Sequence, residues 1–541
     1  MVAGANKAHL SSFGAKPMNP STRQARAMVR GFIEAGIEHI VLAPGSRSGA
    51  LSIAFAQASD YITLHTRFDE RSAGFMALGI AKRTNTPVVV LSTSGTATAH
   101  FLAPAIEAHE SGTPLIILTA DRPPVVRGRG SNQTVDQVGL YSAFVRGEWD
   151  LPVAENHDDA YWQLAVRTAV QASLGTENIA SGPVHINAPF SEPLVPEILD
   201  TTWLETLNIE KVTSPQSEQE DLKELLLELG ALESLSKAVI ITSSVQDSFE
   251  LASLAEFLNL PILAEPTSNA FRSPNAISHY SALLKDAELS QTLTPELVIT
   301  AGRFGLSRQV SALIKNAKHH IAIGRYPLDA DPDDKALHIN RTPIFQSLTP
   351  KDGSWIASWR SASAAYESQS DKFDYRTSMK SVLNTIEPSE TVWISPSMTI
   401  RIADEVITQY QSGFVLANRG VNGIDGLIAS AQGAAVTGKT HLLIGDIAFL
   451  HDIGSLALPA TEHSPNLRIY VFNNHGGEIF SLLEQGEATY AEVFNKVYGT
   501  PEHYDLAALA SGFGISAQNV SNIEELEAAL QSDVTVIVIN L

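Results

Sequence analysis

At 541 residues the chain is too long for one hydrophobic core and is expected to divide into two to four domains. Hydrophobic residues make up 44% and charged residues 18%, an ordinary globular balance, while the lack of any cysteine excludes disulfides, zinc thiolates, iron–sulfur clusters and cysteine nucleophiles and accords with a reducing cytoplasm. A formal charge of −22 argues against nucleic acid, and no uncharged apolar run reaches the roughly 18 residues that span a bilayer, so a site for anionic substrates must bring its own arginines.

In chain order, short apolar runs bounded by turn residues alternate with longer helical patterns, the signature of parallel βαβ units. The first block, residues 1–192, opens on a stretch without the apolar centre of a signal peptide, read as a ragged cytoplasmic start. The helical pattern STRQARAMVRGFIEAG leads to a strand at 39–44, and further strands are predicted at 87–93, 114–120 and 183–189. An apolar strand ending in His65-Thr66-Arg67 runs through Phe68-Asp69-Glu70-Arg71 into the small-residue helix SAGFMALGIAK. These strands are nearly continuous in apolar residues, as a sheet covered on both faces requires.

The second block, 193–375, begins as an acidic linker that runs into a surface helix. Its strands KAVIITSS, LPILAEP, ELVITAG, HHIAIGR and ALHINRT predict another parallel sheet, with chemistry only near the glycine-rich turn at 302–305. The serine-rich SWRSASAAYESQSDKFDYRTS reads as a second linker. The third block, 376–541, has the strands TVWISPS, GFVLANR, HLLIGD, LRIYVFNN and VTVIVINL. No short repeat appears, which disfavours solenoids and propellers. The fold class expected is α/β, with three parallel-sheet domains.

The sharpest local feature lies in the third block. Gly445-Asp446 closes one strand, Asn473-Asn474-His475-Gly476-Gly477 follows another, and Asp446 and Asn474 stand 28 positions apart, about one helical crossover between parallel strands. Both clusters then fall at the carboxyl edge of one sheet, where open α/β sheets bind ligands. A carboxylate, an amide and a backbone carbonyl are hard oxygen donors that suit magnesium, which keeps other positions for phosphate and water oxygens. The glycines would let the backbone approach a diphosphate. Taken singly, these motifs read equally as a strand-end turn and a loop, and Glu70 as a first-turn acid that stabilises its helix dipole.

Together the pair resembles the thiamine-diphosphate motif, which opens Gly-Asp-Gly and closes in Asn-Asn; here Ile447 takes the third position. The resemblance implies that Asp446, Asn474 and the carbonyl of Gly476 hold magnesium, or manganese in its place, with Asn473 beside them and Gly445 and Gly477 flanking the cofactor. It makes Glu70 the carboxylate that meets the aminopyrimidine ring, where partial desolvation would favour proton sharing.

Further segments narrow the likeness to one branch. They are Ala-Pro-Gly-Ser-Arg-Ser at 43–48, Phe-Asp-Glu-Arg at 68–71, Thr-Ser-Gly-Thr-Ala at 93–97 and Thr-Ala-Asp-Arg-Pro-Pro at 119–124. Ser-Asn-Gln at 131–133, Asn-Arg-Gly at 418–420, Gly-Ile-Asp-Gly at 423–426 and Gly-Gly-Glu-Ile-Phe-Ser-Leu-Leu at 476–483 extend it. The chain thus resembles the 2-succinyl-5-enolpyruvyl-6-hydroxy-3-cyclohexene-1-carboxylate synthases of menaquinone biosynthesis, most weakly in the middle block.

That family implies a pyruvate-decarboxylase-like architecture: a pyrimidine-binding domain (1–192), a central domain (193–375) and a diphosphate- and metal-binding domain (376–541). It also implies a transferase that decarboxylates 2-oxoglutarate and adds the succinyl carbanion equivalent to isochorismate by a Stetter-like 1,4-addition, releasing carbon dioxide. Ser397 and Arg401 would face the succinyl carboxylate, Ser46, Arg47, Arg122, Asn132 and Gln133 the acceptor, with Arg419 between them and Arg308 near by. Arginine suits this work because its planar fork donates two parallel hydrogen bonds to a carboxylate. Ile424 would be the apolar wedge under the cofactor, and Ile479, Phe480 and Leu483 would wall the site. In this class Glu70 serves the diphosphate motif of a neighbouring copy, so a homodimer or homotetramer is implied. The competing reading is another thiamine-dependent 2-oxoacid carboligase or decarboxylase, acetolactate-synthase-like, which leaves the arginines without a task. A catalytically silent scaffold would have no need of the metal motif and Glu70 together.

Overall fold

The computed structural model describes residues 18–541 apart from 198, 216–217, 244–247, 329–330, 367–371 and 409–412, so the start of the chain lies outside the described residues. Six strands, β1 (His39–Leu42), β2 (Thr63–Thr66), β3 (Val88–Ser92), β4 (Leu115–Asp121), β5 (Glu148–Asp150) and β6 (Val184–Pro189), form a wholly parallel sheet ordered β2-β1-β3-β4-β6-β5. Alternation along a strand sends side chains to opposite faces. Ile116, Leu118 and Ala120 of β4 therefore enter one apolar cluster, while Leu115 and Ile117 enter another. Burial on both faces explains why the sequence shows continuous apolar runs rather than alternation.

The middle block holds β7 (Gln219–Asp221), β8 (Ala238–Thr242), β9 (Ile262–Ala264), β10 (Leu297–Ala301), β11 (His319–Ile323), β12 (Leu337–Ile339) and β13 (Thr342–Ile344). Five of these make a parallel sheet, β12-β11-β10-β8-β9, and β13 pairs with β7 beside it. Both ends of the expected second linker are helical. Ser354–Ala365 forms a helix that buries Ile356 and Trp359, and another helix starts at Tyr375, inside the stretch expected to be loose. Serines on the outer face of a helix with one apolar stripe produce a linker-like composition. The acidic segment before β7 also has a fixed course in part, since the amides of Glu210 and Val212 donate to the carbonyls of Glu34 and Ala35.

The third sheet comprises β14 (Thr391–Ile394), β15 (Phe414–Leu416), β16 (Thr440–Gly445), β17 (Leu467–Asn473), β18 (Ala517–Val520) and β19 (Val536–Asn540), again all parallel. Its order, β15-β14-β16-β17-β19-β18, repeats that of the first sheet strand for strand. One apolar cluster runs continuously from the middle sheet onto one face of this sheet, and a separate cluster covers the other face. The first and third blocks meet through the helices Glu70–Thr84 and Leu427–Ala434, which follow β2 and β15 respectively. Small residues let these helices touch: a Cβ on Gly79 would lie 2.0 Å from the carbonyl oxygen of Ser430, and one on Gly433 would lie 2.2 Å from that of Met76. Among the described residues no helix is long and apolar enough to cross a membrane.

Candidate functional site

In the third sheet the strand order reverses at β14, with β15 on one side and β16 on the other. A parallel sheet opens a crevice at the carboxyl ends of the strands on either side of such a point. A cavity of about 370 Å³ lies there, walled by Ser397 and Arg401 beyond β14, Arg419 and Ile424 beyond β15, Gly445 and Asp446 at the end of β16, and Asn474 and Gly476 to Phe480 beyond β17. Gly476, Gly477 and Ile479 are among the last group, whereas Leu483 is not part of the wall. A larger cavity of about 570 Å³ lies between the blocks and also touches Arg419, but it lacks the Asp446–Asn474 donor set.

Strand pairing explains how distant residues meet. Gly445 is in register with Phe472 across β16 and β17, so the next residues, Asp446 and Asn473-Asn474, leave the sheet side by side. Asp446 is 3% exposed. One of its oxygens accepts the amide of Ile447 at 2.7 Å and the other that of Gly476 at 2.8 Å. Burial pushes its carboxyl up from the ordinary value despite those two donors. Asn474 donates to Glu478 at 2.5 Å, and the buried Asn473 side chain binds Asn540 at 3.0 Å and the amide of His475 at 3.0 Å.

The three glycines differ in what surrounds them. Gly476 and Gly477 are required by their own chain, because a Cβ would lie 2.4 Å from the carbonyl oxygen of Gly499 and 2.5 Å from that of Tyr498. Gly476 also has φ +147, a conformation that disfavours any side chain. At Gly445 the nearest atom to a Cβ would be the Thr399 hydroxyl at 3.9 Å, so a side chain there would project into free space beside the cavity.

The helix Met398–Val406 starts at this cavity. Ser397, its N-cap, holds φ 72 and ψ −132 and spends its side chain on no capping bond; a non-glycine residue so placed stores strain of about 1–3 kcal/mol. Arg401 donates to the Leu306 carbonyl at 2.5 Å, which brings the turn after β10 into the site, and Gly305 and Leu306 both line the cavity. Burial, then Arg419, then Arg308 depress the proton affinity of Arg401, with Glu265 opposing. The four groups therefore share one field. Arg308 itself is exposed and stands outside the wall. Arg419 binds Asn422 and lies 3.5 Å from the buried Glu265, a middle-block residue that no sequence motif flagged.

Tyr375 was likewise missed. Its hydroxyl meets that of Thr399 at 2.8 Å, its ring stacks on Phe472 at 4.6 Å between centroids, and it lines the cavity. Its signal was hidden because the residues around it read as linker.

The first-block candidates collect at the carboxyl edge of their own sheet and line neither cavity. Ser46, Asn132 and Gln133 are exposed, and the Gln133 amide reaches the Ser94 carbonyl at 3.2 Å. Gln137, also missed, is buried and fixes this edge by accepting the Gly95 amide at 2.9 Å and donating to Asn187 at 2.9 Å. Arg47 is 7% exposed and donates to the Phe190 carbonyl at 2.8 Å. Burial, and next the neighbouring Arg122, lower its proton affinity. Among the described residues the buried Nε atoms of Arg47 and Arg122 have no hydrogen-bond partner. Glu70 opens its helix half-buried behind the cap of Asp69, whose side chain accepts the amide of Arg71. Its neighbours bind the third block of the same chain: Arg67 pairs with Glu462 at 3.1 Å and Arg71 with Asp452 at 3.5 Å.

Residues 22–140 match the thiamine pyrophosphate enzyme N-terminal TPP binding domain, and residues 403–539 match the C-terminal TPP binding domain. A 2-succinyl-5-enolpyruvyl-6-hydroxy-3-cyclohexene-1-carboxylate synthase of Thermobifida fusca is 38% identical over 538 residues, covering 95% of each chain. Proteins of the same name from Saccharopolyspora erythraea and Renibacterium salmoninarum are 36% and 35% identical, each covering 95% of this chain and 94% and 93% of their own. Two matched domains, full-length similarity and one sheet edge bearing the motif residues agree, and the chain belongs to the 2-succinyl-5-enolpyruvyl-6-hydroxy-3-cyclohexene-1-carboxylate synthase family of thiamine pyrophosphate enzymes.

Proposed function

We propose that this chain decarboxylates 2-oxoglutarate and joins the succinyl unit to isochorismate, releasing carbon dioxide, as a transferase of menaquinone biosynthesis that uses thiamine diphosphate and magnesium. One observation carries the site assignment: a single cavity combines a buried, unpaired carboxylate, Asp446, with the guanidinium groups of Arg401 and Arg419. Among the described residues no lysine or arginine pairs with Asp446, whose oxygens meet only N–H donors. A buried anion left without a cation fits a resident metal ion. No cluster of three or more histidine, aspartate or glutamate side chains with metal-holding geometry occurs among the described residues. One carboxylate with the Asn474 amide and the Gly476 carbonyl would leave most positions to phosphate and water oxygens, the preference of magnesium. The space beside Gly445 would admit the diphosphate.

When bound, thiamine diphosphate supplies the electron sink for decarboxylation. Ser397 and Arg401 would orient the carboxylate that 2-oxoglutarate retains, the arginine by a charge-assisted pair. Ser46, Arg47, Arg122, Asn132 and Gln133 would receive the carboxylates of isochorismate, with Arg419 between the two groups and Arg308 at the rim. Ile424, Ile479 and Phe480 would exclude water and, by lowering the local dielectric, strengthen those contacts. Glu70 would exchange a proton with the aminopyrimidine of a site on a neighbouring copy. This inter-chain reading is supported by its absence from the cavity wall of its own chain. Exposed apolar residues flank both edges, Phe68 and Val125 by the first and Leu482 and Val497 by the third, as a homodimer or homotetramer would need. The reading includes a cytoplasmic location, in keeping with a chain that has no cysteine.

The test is carbon dioxide release from 2-oxoglutarate, measured with and without isochorismate, thiamine diphosphate and magnesium. Release and product formation should require both cofactor and metal, and product should require isochorismate. Turnover that ignores thiamine diphosphate would sink the proposal.

A further inference from the structure

We infer that Lys82 and Glu107, a buried ion pair of the first block, are positioning residues that hold the loop bearing Arg419 in its working place; the inference rests on the substrate role proposed for Arg419. The loop leaves β15 as Ala417-Asn418-Arg419-Gly420-Val421. Its backbone is held from the first block at both ends. The Lys82 ammonium donates to the Ala417 carbonyl at 2.9 Å, and the Glu107 carboxylate accepts the amides of Gly420 and Val421, one on each oxygen, at 2.9 Å each. Lys82 and Glu107 bind each other at 2.6 Å, with side chains 8% and 2% exposed.

Only Arg419 and Asn418 lie between these fixed points, and the Asn418 side chain is itself buried and donates to Ser430 at 3.1 Å. The backbone on either side of Arg419 is therefore held by the first block, although the residue belongs to the third; Arg303 of the middle block adds a bond to the Gly420 carbonyl at 3.1 Å, and Asn422 and Glu265 meet the guanidinium itself. Close approach is built into the sequence, since a Cβ on Gly420 would lie 2.8 Å from the Glu107 carbonyl oxygen and 2.9 Å from its carboxylate.

A buried ion pair is a poor source of stability, because desolvation cancels most of the attraction. It is a good source of geometry. All three partners of the Glu107 carboxylate are donors, so its charge is fully used and only a group with two acceptor oxygens satisfies them. The amide of a glutamine would set one N–H donor against another. Lys82 lies on the helix Glu70–Thr84, which also begins with Glu70, and Glu107 lies on the helix Leu102–Glu110. One helix thus presents the proposed proton-exchanging acid at its start and braces a substrate arginine near its end.

The test is a double-mutant cycle on the full-length enzyme saturated with thiamine diphosphate and magnesium, comparing the parent, Glu107→Gln, Arg419→Ala and both together. Glu107→Gln is expected to raise KM for 2-oxoglutarate or isochorismate about 10-fold or more, within the ~100-fold that a 1 Å misplacement can cost. The double variant should be no worse than Arg419→Ala, because Glu107 then has no guanidinium to aim. Effects that simply multiply, or an unchanged KM in Glu107→Gln, overturn the inference while leaving the role of Arg419 intact. An unchanged KM for both substrates in Arg419→Ala overturns that role itself, and the inference with it. Should Glu107→Gln fail to fold, Gly420→Ala replaces it in the same cycle, displacing the loop without stripping a buried charge, and the same two results decide.

Discussion

The first and third sheets share one winding, β2-β1-β3-β4-β6-β5 against β15-β14-β16-β17-β19-β18, and each gathers chemistry at the carboxyl ends of its first four strands. Beyond β1, β2, β3 and β4 stand Arg47, Glu70, Gly95 and Arg122; beyond β14, β15, β16 and β17 stand Ser397, Arg419, Asp446 and Asn474. The third edge closes over a cavity, roofed in part by Gly305 and Leu306 of the middle block. The first edge presents Ser46, Asn132 and Gln133 to solvent. Equal topology therefore places groups without deciding their task, which depends on residue type and on what packs over each edge. On the reading proposed above, the open edge would be completed by the third edge of a neighbouring copy.

The strongest way to break that contrast is complementation. Glu70→Gln should lower turnover ~10²–10⁴-fold while retaining cofactor, the range for losing an acid–base group. Asp446→Ala should weaken thiamine-diphosphate binding by about 100-fold, ~2.8 kcal/mol. Co-expressed, the two inactive chains should recover up to about a quarter of normal activity, because half of the randomly formed dimers hold one intact site. No recovery, despite mixed dimers isolated by two affinity tags, would place both residues in the site of one chain.

A smaller effect tests the joint between the sheets. Gly79→Ala forces a Cβ to within 2.0 Å of the Ser430 backbone oxygen and should cost ~1–3 kcal/mol, the usual penalty of overpacking. Gly454→Ala, where nothing lies within 4 Å, should change thermal unfolding little. Equal midpoints for the two variants would mean that the helix crossing tolerates separation.

The smallest effect concerns the helix bearing Arg401. Asp404 on that helix is buried, accepts the hydroxyls of Tyr280 and Ser281, and has its carboxyl pushed by burial from 3.8 up to about 7. Between those values the unfolded chain has released a proton that the fold retains, so stability falls as pH rises through this window. Asp404→Asn removes that loss. Its thermal midpoint relative to the parent should therefore climb, on the order of a few degrees, between about pH 5 and about pH 8. A constant difference would show that Asp404 does not titrate there.

Read alone, the sequence determined the parallel α/β class, because strands buried on both faces must be apolar along their whole length, as Val88–Ser92 nearly is. It also determined the motif pair Asp446 and Asn474, whose separation follows from one crossover within a single sheet. Short edge strands such as β5 and β18 escaped notice, being three and four residues long and half-exposed. The serine-rich helix Ser354–Ala365 escaped because composition masked its single buried stripe. Only the tertiary structure revealed that the two outer sheets share a winding, that Tyr375 and Leu306 line the cavity, and that Glu107 and Lys82 fix a loop more than 300 positions away. Lys82 and Glu107 act there on backbone atoms, which every sequence possesses, so no spacing or motif announces them. Their pairing exists only once the helices of one sheet have packed against the loops of another.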